Sequence, residues 1–160
     1  TIVTITGTNG KGSVSRKLAG ALSSVGNTAL FTSPHLVSIN ERFIFKGQKI
    51  DLNLMLKLIQ ETFSTIKAQE VHLSFFEVLF VSFIKWFSDF DCKYIVLEVG
   101  LGGKWDATNA LDADLAVITS ISRDHQDYLG STYREILLEK IGISRFNKPL
   151  ITCFVLNYLN

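Results

Sequence analysis

Residues 7–13, Gly7-Thr8-Asn9-Gly10-Lys11-Gly12-Ser13, bring glycines, one ammonium and two hydroxyls into a single short stretch. That composition suits the holding of phosphate oxygens. Glycine lets backbone N–H groups come close to an anion, a following helix adds partial positive charge at its N-terminus, and the lysine adds a full charge. A β-branched run at 1–6 precedes the stretch, and a helix is expected over 13–25. The spacing departs from the common G-x-x-x-x-G-K-[ST] pattern. Ile5 stands where the first glycine would fall, and Gly12 follows the lysine directly. The plainer alternative is a glycine-rich strand-to-helix turn with an exposed lysine.

Other residues could join such a site. Glu98 lies inside the apolar run 94–99. A buried glutamate is costly unless it is paired or binds a metal. It is therefore either a carboxylate bonded to loop N–H groups or a ligand for Mg²⁺, which takes one or two carboxylates beside phosphate oxygens. His125 follows Asp124 after the apolar run 115–121, and could ligate a metal, act as a base or bond phosphate. Taken alone, Lys140 reads as a surface lysine whose stem packs while its head stays in water. Glu77 alone reads as a helix-capping residue, and Asp106 as a turn residue.

The elements that would carry these residues alternate. Strands are expected at 1–6, 28–32, 94–99, 115–121 and 150–154. Helices are expected at 13–25, at 52–67 after the N-cap Asp51, at 75–87, and at 133–143. Met55, Ile59, Phe63 and Ile66 recur at helical spacing. Ser74 with Glu77, and Thr132 with Glu135, have capping-box spacing. Residues 43–45 and 49–50 could form a small hairpin around Lys46-Gly47-Gln48. Strand–helix alternation with apolar strands predicts a doubly wound, mostly parallel α/β sheet with flanking helices and a phosphate-binding loop. Ligands of such sheets gather at the C-terminal strand ends. The glycine loop, Ser33, Glu98 with 100–103, and Asp124-His125 each fall at one.

The composition narrows the class further. The chain has 160 residues, 47% of them apolar and 19% charged, a balance that suits one folded domain. A net charge of +1 gives no reason to expect nucleic-acid or membrane-surface binding. Cys92 and Cys153 lack metal-site spacing, and a buried, reduced pair is expected in a cytoplasmic protein. No stretch reaches the ~18 uninterrupted apolar residues of a membrane helix, and no signal peptide is seen.

Taken together, several stretches resemble the folylpolyglutamate synthase/dihydrofolate synthase family of the Mur-ligase superfamily. They are GTNGKGS at 7–13, TSPHL at 32–36, NER at 40–42, FFE at 75–77, LEVGLGG followed by DATN at 97–109, ITSI at 118–121, DH at 124–125 and EKIGI at 139–143. The cell-wall, UDP-MurNAc-type Mur ligases share the glycine loop, the strand-end glutamate and a DH-type turn, and are the runner-up. A non-enzymatic nucleotide-binding remnant of the same fold is the alternative from another class.

The resemblance implies an ATP-dependent amide ligase that activates the carboxylate of dihydropteroate or a folate as an acyl phosphate and adds L-glutamate. It implies that Thr8, Asn9, Gly10, Lys11, Gly12 and Ser13 hold ATP, with Lys11 on the β/γ oxygens. Ser33 and Glu98 would bind one Mg²⁺ and His125 a second, with Lys140 present as a carbamate. Lys11, His125 and Lys140 would serve catalysis. Ser74, Phe75, Phe76, Glu77, Trp105, Asp106 and Ala107 would line the substrate site. Residues 1–160 are expected to be the central ATP-binding domain. A preceding segment and a C-terminal glutamate-binding domain would lie outside it, and the full-length protein is expected to be a monomer.

Overall fold

The computed structural model describes residues 1–123 and 125–153. Its framework is a seven-stranded sheet. The strands are β1 (Ile2–Thr6), β2 (Thr28–Phe31), β3 (Phe43–Phe45), β4 (Gln48–Lys49), β5 (Tyr94–Glu98), β6 (Leu115–Ile118) and β7 (Leu150–Thr152). Their order across the sheet is β4-β3-β2-β5-β1-β6-β7. From β2 to β7 all neighbours are parallel, and β3 and β4 extend the sheet as an antiparallel hairpin. The helices are α1 (Lys11–Ser23), α2 (Leu52–Ala68), α3 (Phe75–Phe87), the short α4 (Gln126–Leu129) and α5 (Tyr133–Ile141). None of the described helices is long and apolar enough to cross a membrane.

Alternation along the central strands assigns the two faces. Val3 and Ile5 of β1, Val96 of β5 and Val117 of β6 pack with Ala19 of α1 on one face. On the other face, Ala29, Phe31 and Leu97 pack against Met55 and Ile59 of α2 and Val78, Leu79 and Phe83 of α3. By the same period of two, Glu98 falls on the α1 face, two residues after Val96.

The expected elements are present, with informative differences. Helix α1 begins at Lys11 rather than Ser13, so the lysine sits on its first turn. On α2, Thr62 is buried and Phe63 is 52% exposed, so the inner face runs through Met55, Ile59 and Thr62. The Thr62 hydroxyl reaches the Ser82 hydroxyl of α3 at 2.9 Å, which makes a polar residue tolerable there. Strand β6 ends at Ile118, not 121, because the next residues turn to bond the glycine loop. Cys92 is half-buried and Cys153 exposed, so the expectation of a buried pair is corrected; both thiols are free. Phe154, the expected end of β7, lies outside the described residues.

Candidate active site

The glycine loop is fixed mainly by the segment leaving β6. Thr8 N–H donates to the Ser120 carbonyl at 3.0 Å, and Asn9 N–H donates to the Ser120 hydroxyl at 2.8 Å. The Thr119 hydroxyl donates to the Asn9 carbonyl at 2.7 Å, and the Thr8 hydroxyl accepts from Ser122 N–H at 3.0 Å. Gly10 takes the N-cap position of α1 with a φ of 83°, in the left-handed region that glycine adopts without a Cβ penalty. The α1 N-terminus thus opens at the mouth of the loop. The Lys11 ammonium folds back over it, donating to the Gly7 carbonyl at 2.8 Å and the Thr8 carbonyl at 3.4 Å.

Glu98 joins this loop to the end of β2. Its side chain is buried, and Oε2 accepts from the Thr32 hydroxyl and from Ser33 N–H, the latter at 3.0 Å. Both carboxylate oxygens lie within 3.4 Å of where a Cβ on Gly12 would stand. A side chain at position 12 would press the carboxylate back from the first turn of α1 by a few tenths of an ångström. The plainer expectation, a strand-end carboxylate bonded to a loop N–H, therefore holds. A hard divalent cation takes oxygen donors, and a buried carboxylate beside a phosphate-type loop fits one. Among the described residues there is no cluster of three or more His, Cys, Asp or Glu side chains able to hold a metal. A cation at Glu98 would therefore draw its remaining ligands from hydroxyl, phosphate and water oxygens.

A cleft of about 890 Å³ opens beside Glu98. All seven residues expected at a substrate site line it: Ser74, Phe75, Phe76, Glu77, Trp105, Asp106 and Ala107. Ser33 lines it as well. Helix α3 supplies the aromatic wall because Ser74 and Glu77 cap its first turn reciprocally, the Ser74 N–H reaching Glu77 Oε2 at 2.6 Å. Those bonds hold the Glu77 carboxyl below its usual range. Phe76 packs edge-on to Phe31 of the core at 5.5 Å, anchoring the wall. Trp105 is 81% exposed at the rim.

The Asp106 carboxylate accepts from Gly100 and Leu101 N–H on one oxygen and from the Thr108 N–H and hydroxyl on the other. It thereby fixes the turn after β5, while burial pushes its pKa up against those bonds.

His125 is exposed, with a φ of 48°, and its carbonyl accepts from Tyr128 and Leu129 N–H in α4. Both of those residues line the cleft. Asp124, the other half of the expected pair, lies outside the described residues. Lys140 is 3% exposed, which corrects the reading of it as a surface lysine. Its helix packs onto the glycines after β5: Lys104 N–H donates to the Glu139 carbonyl at 2.9 Å, and a Cβ on Gly103 would come within 3.1 Å of the Lys140 carbonyl.

Sequence reasoning passed over Arg42. It ends the 3₁₀ turn Ile39–Arg42, is 9% exposed and lines the cleft. Its Nε donates to His35 Nδ1 at 3.0 Å, and its guanidinium carbon lies 5.9 Å from the centre of the Phe75 ring. Burial lowers its pKa, and the Glu98 charge offsets part of that. The NER stretch at 40–42 carried the signal, but no local spacing shows that this arginine turns inward. Leu101, Tyr128, Leu129 and Glu139 also line the cleft without having been expected there.

A model of the family described as the Mur ligase middle domain matches residues 5–158. The dihydrofolate synthase/folylpolyglutamate synthase of Escherichia coli (strain K12) is 40% identical over 151 residues, 94% of this chain and 35% of that protein. The solved structure of E. coli FolC in complex with DHPP and ADP aligns with a TM-score of 0.89 at 38% identity, covering 94% of this chain and 36% of that one. A bifunctional folylpolyglutamate synthase/dihydrofolate synthase with Mn, AMPPNP and L-glutamate bound aligns with a TM-score of 0.82 at 36% identity, covering 94% of this chain and 37% of that one. The chain thus spans about a third of the length of these relatives.

Proposed function

The chain belongs to the Mur ligase middle-domain family, and from that premise we propose that it is the ATP-binding part of a dihydrofolate synthase/folylpolyglutamate synthase. The observation that carries this reading is the double role of Ser33. Its N–H holds Glu98 beside the glycine loop, and the same residue lines the cleft. A phosphate bound at the loop and an acid bound in the cleft would therefore meet at the ends of β2 and β5.

In the proposed reaction, a carboxylate oxygen of dihydropteroate or a folate attacks the γ-phosphorus of ATP. The bond to the bridging oxygen of ADP breaks, leaving an acyl phosphate. The amine of L-glutamate then attacks the carbonyl carbon, phosphate departs and the amine loses a proton. Positioning and charge neutralisation supply most of such catalysis. Lys11 would leave the Gly7 and Thr8 carbonyls for the β/γ oxygens, and the N–H groups opening α1 would hold the phosphates. The aromatic wall of α3 and Trp105 would receive the ring system of the acid.

Ser33 and Glu98 are the residues that would hold Mg²⁺, with His125 at a second site. When bound, the cations would supply charge neutralisation at the phosphates. Lys140 would serve as a carbamate, formed from its neutral amine and CO₂ with release of a proton; burial shields that adduct from water. The relatives are about three times as long as these 160 residues, and glutamate addition would draw on the additional sequence.

The test follows ¹⁸O from a labelled substrate carboxylate, using this chain fused to the C-terminal region of the E. coli relative. One ¹⁸O in the released phosphate supports carboxylate activation. Unlabelled phosphate with product formed would overturn it.

A further inference from the structure

The cleft holds one permanent positive charge among the residues that line it, Arg42. Its companions there are the carboxyls of Glu77, Asp106 and Glu139 together with aromatic and small side chains. Among the described residues no carboxylate comes within ion-pair distance of the Arg42 guanidinium. Its side-chain hydrogen bond is to Nδ1 of His35. A buried cation whose charge is offset only in part, by Glu98 beyond ion-pair distance, is costly unless a further anion joins it.

The geometry also fixes where that charge points. The His35 bond holds the Nε edge, which leaves the two terminal nitrogens of the planar fork for another acceptor. The Arg42 carbonyl accepts from Thr32 N–H at 3.1 Å, and the Thr32 hydroxyl donates to Glu98. Arg42 is thereby set at the level of Glu98, on the cleft side of β2, whereas Lys11 serves the glycine loop. Phe75 on the cleft wall faces the guanidinium.

We propose that Arg42 is the group that docks the carboxylate of the acid substrate, gripping one or both oxygens with its terminal nitrogens and turning that end of the molecule toward Glu98 and the γ-phosphate. This rests on the reading of the cleft as the acid site. It adds the residue that discriminates an acid from its neutral analogue. A fork of two N–H donors matches a carboxylate, and a carboxamide presents a single acceptor and no charge.

The experiment titrates the 160-residue chain with dihydropteroate and with its carboxamide, without ATP, following the fluorescence of the exposed Trp105. A third titration uses ADP with Mg²⁺. The wild-type chain should bind the acid at least about tenfold more tightly than the amide. Arg42→Gln should lose that preference while keeping amide and ADP affinities, and Arg42→Lys should keep part of it. If Arg42→Gln binds nothing, Arg42→Lys and His35→Ala decide: a reduced acid preference with unchanged amide binding supports the assignment, and an unchanged preference refutes it. Equal acid and amide binding by the wild type overturns the role of Arg42 while leaving the cleft as the acid site. Loss of ADP affinity in Arg42→Gln, with acid preference intact, would move Arg42 to the phosphate. Wild-type binding of neither compound would overturn the acid site itself.

Discussion

Gly12 and Gly100 mark points where a single methyl group would enter occupied space. An alanine at position 12 would set its Cβ 3.2 Å from Glu98 Oε1, so the carboxylate would have to move from the α1 terminus. Gly12→Ala should leave the fold intact and weaken Mg²⁺-dependent binding of AMPPNP, read by calorimetry. At position 100 the added Cβ would stand 2.8 Å from two Phe76 ring carbons, and that ring is wedged against Phe31. Gly100→Ala should destabilise the chain by about 1–3 kcal/mol in denaturant unfolding. Glu98 was legible in the sequence because a carboxylate inside an apolar strand demands a partner. Arg42 was not: its burial depends on Thr32, Phe75 and Glu98, which folding brings to it. Lys140 misled for the same reason, since its neighbours in sequence do not reveal the glycine-lined surface onto which α5 packs.

The elements were legible wherever their signals are local. Ser74 with Glu77, and Thr132 with Glu135, form reciprocal capping boxes where their spacing placed them, and Asp51 caps α2 through Leu54 N–H. Ser74→Ala should cost about 1 kcal/mol and lower the melting temperature, because the α3 N-terminus loses a cap. These caps also set a pH dependence. Glu77 and Glu135 accept backbone and hydroxyl bonds that hold their carboxyls below the ordinary value of 4.5. A carboxyl lowered by folding contributes stability that is complete above its unfolded pKa and is lost as pH falls through its folded pKa. Melting temperature should therefore fall below about pH 4.5, and Glu77→Gln should make that fall shallower. The end of β6 was not legible. The strand-like run reads on to Ile121, but beyond Ile118 the hydroxyls of Thr119 and Ser120 and the carbonyl of Ser122 bond Thr8 and Asn9, more than 100 residues earlier.

At the scale of the whole molecule, alternating strands and helices made the parallel sheet readable, but the order β2-β5-β1-β6 comes from pairings between distant segments. That order places the ends of β1, β2, β5 and β6 side by side. In the proposed reading, phosphate bound at the glycine loop would adjoin the cleft, with Glu98 and Ser33 between them. The most direct test of this union is calorimetric titration of the 160-residue chain with AMPPNP, with and without Mg²⁺, in the wild type and in Lys11→Ala and Glu98→Gln. The wild type should bind in a Mg²⁺-dependent manner. Lys11→Ala should bind at least about tenfold more weakly, the loss expected for a charge-assisted contact. Glu98→Gln should bind with its Mg²⁺ dependence largely removed. Wild-type binding that is indifferent to Mg²⁺, or that survives both substitutions unchanged, would contradict the account.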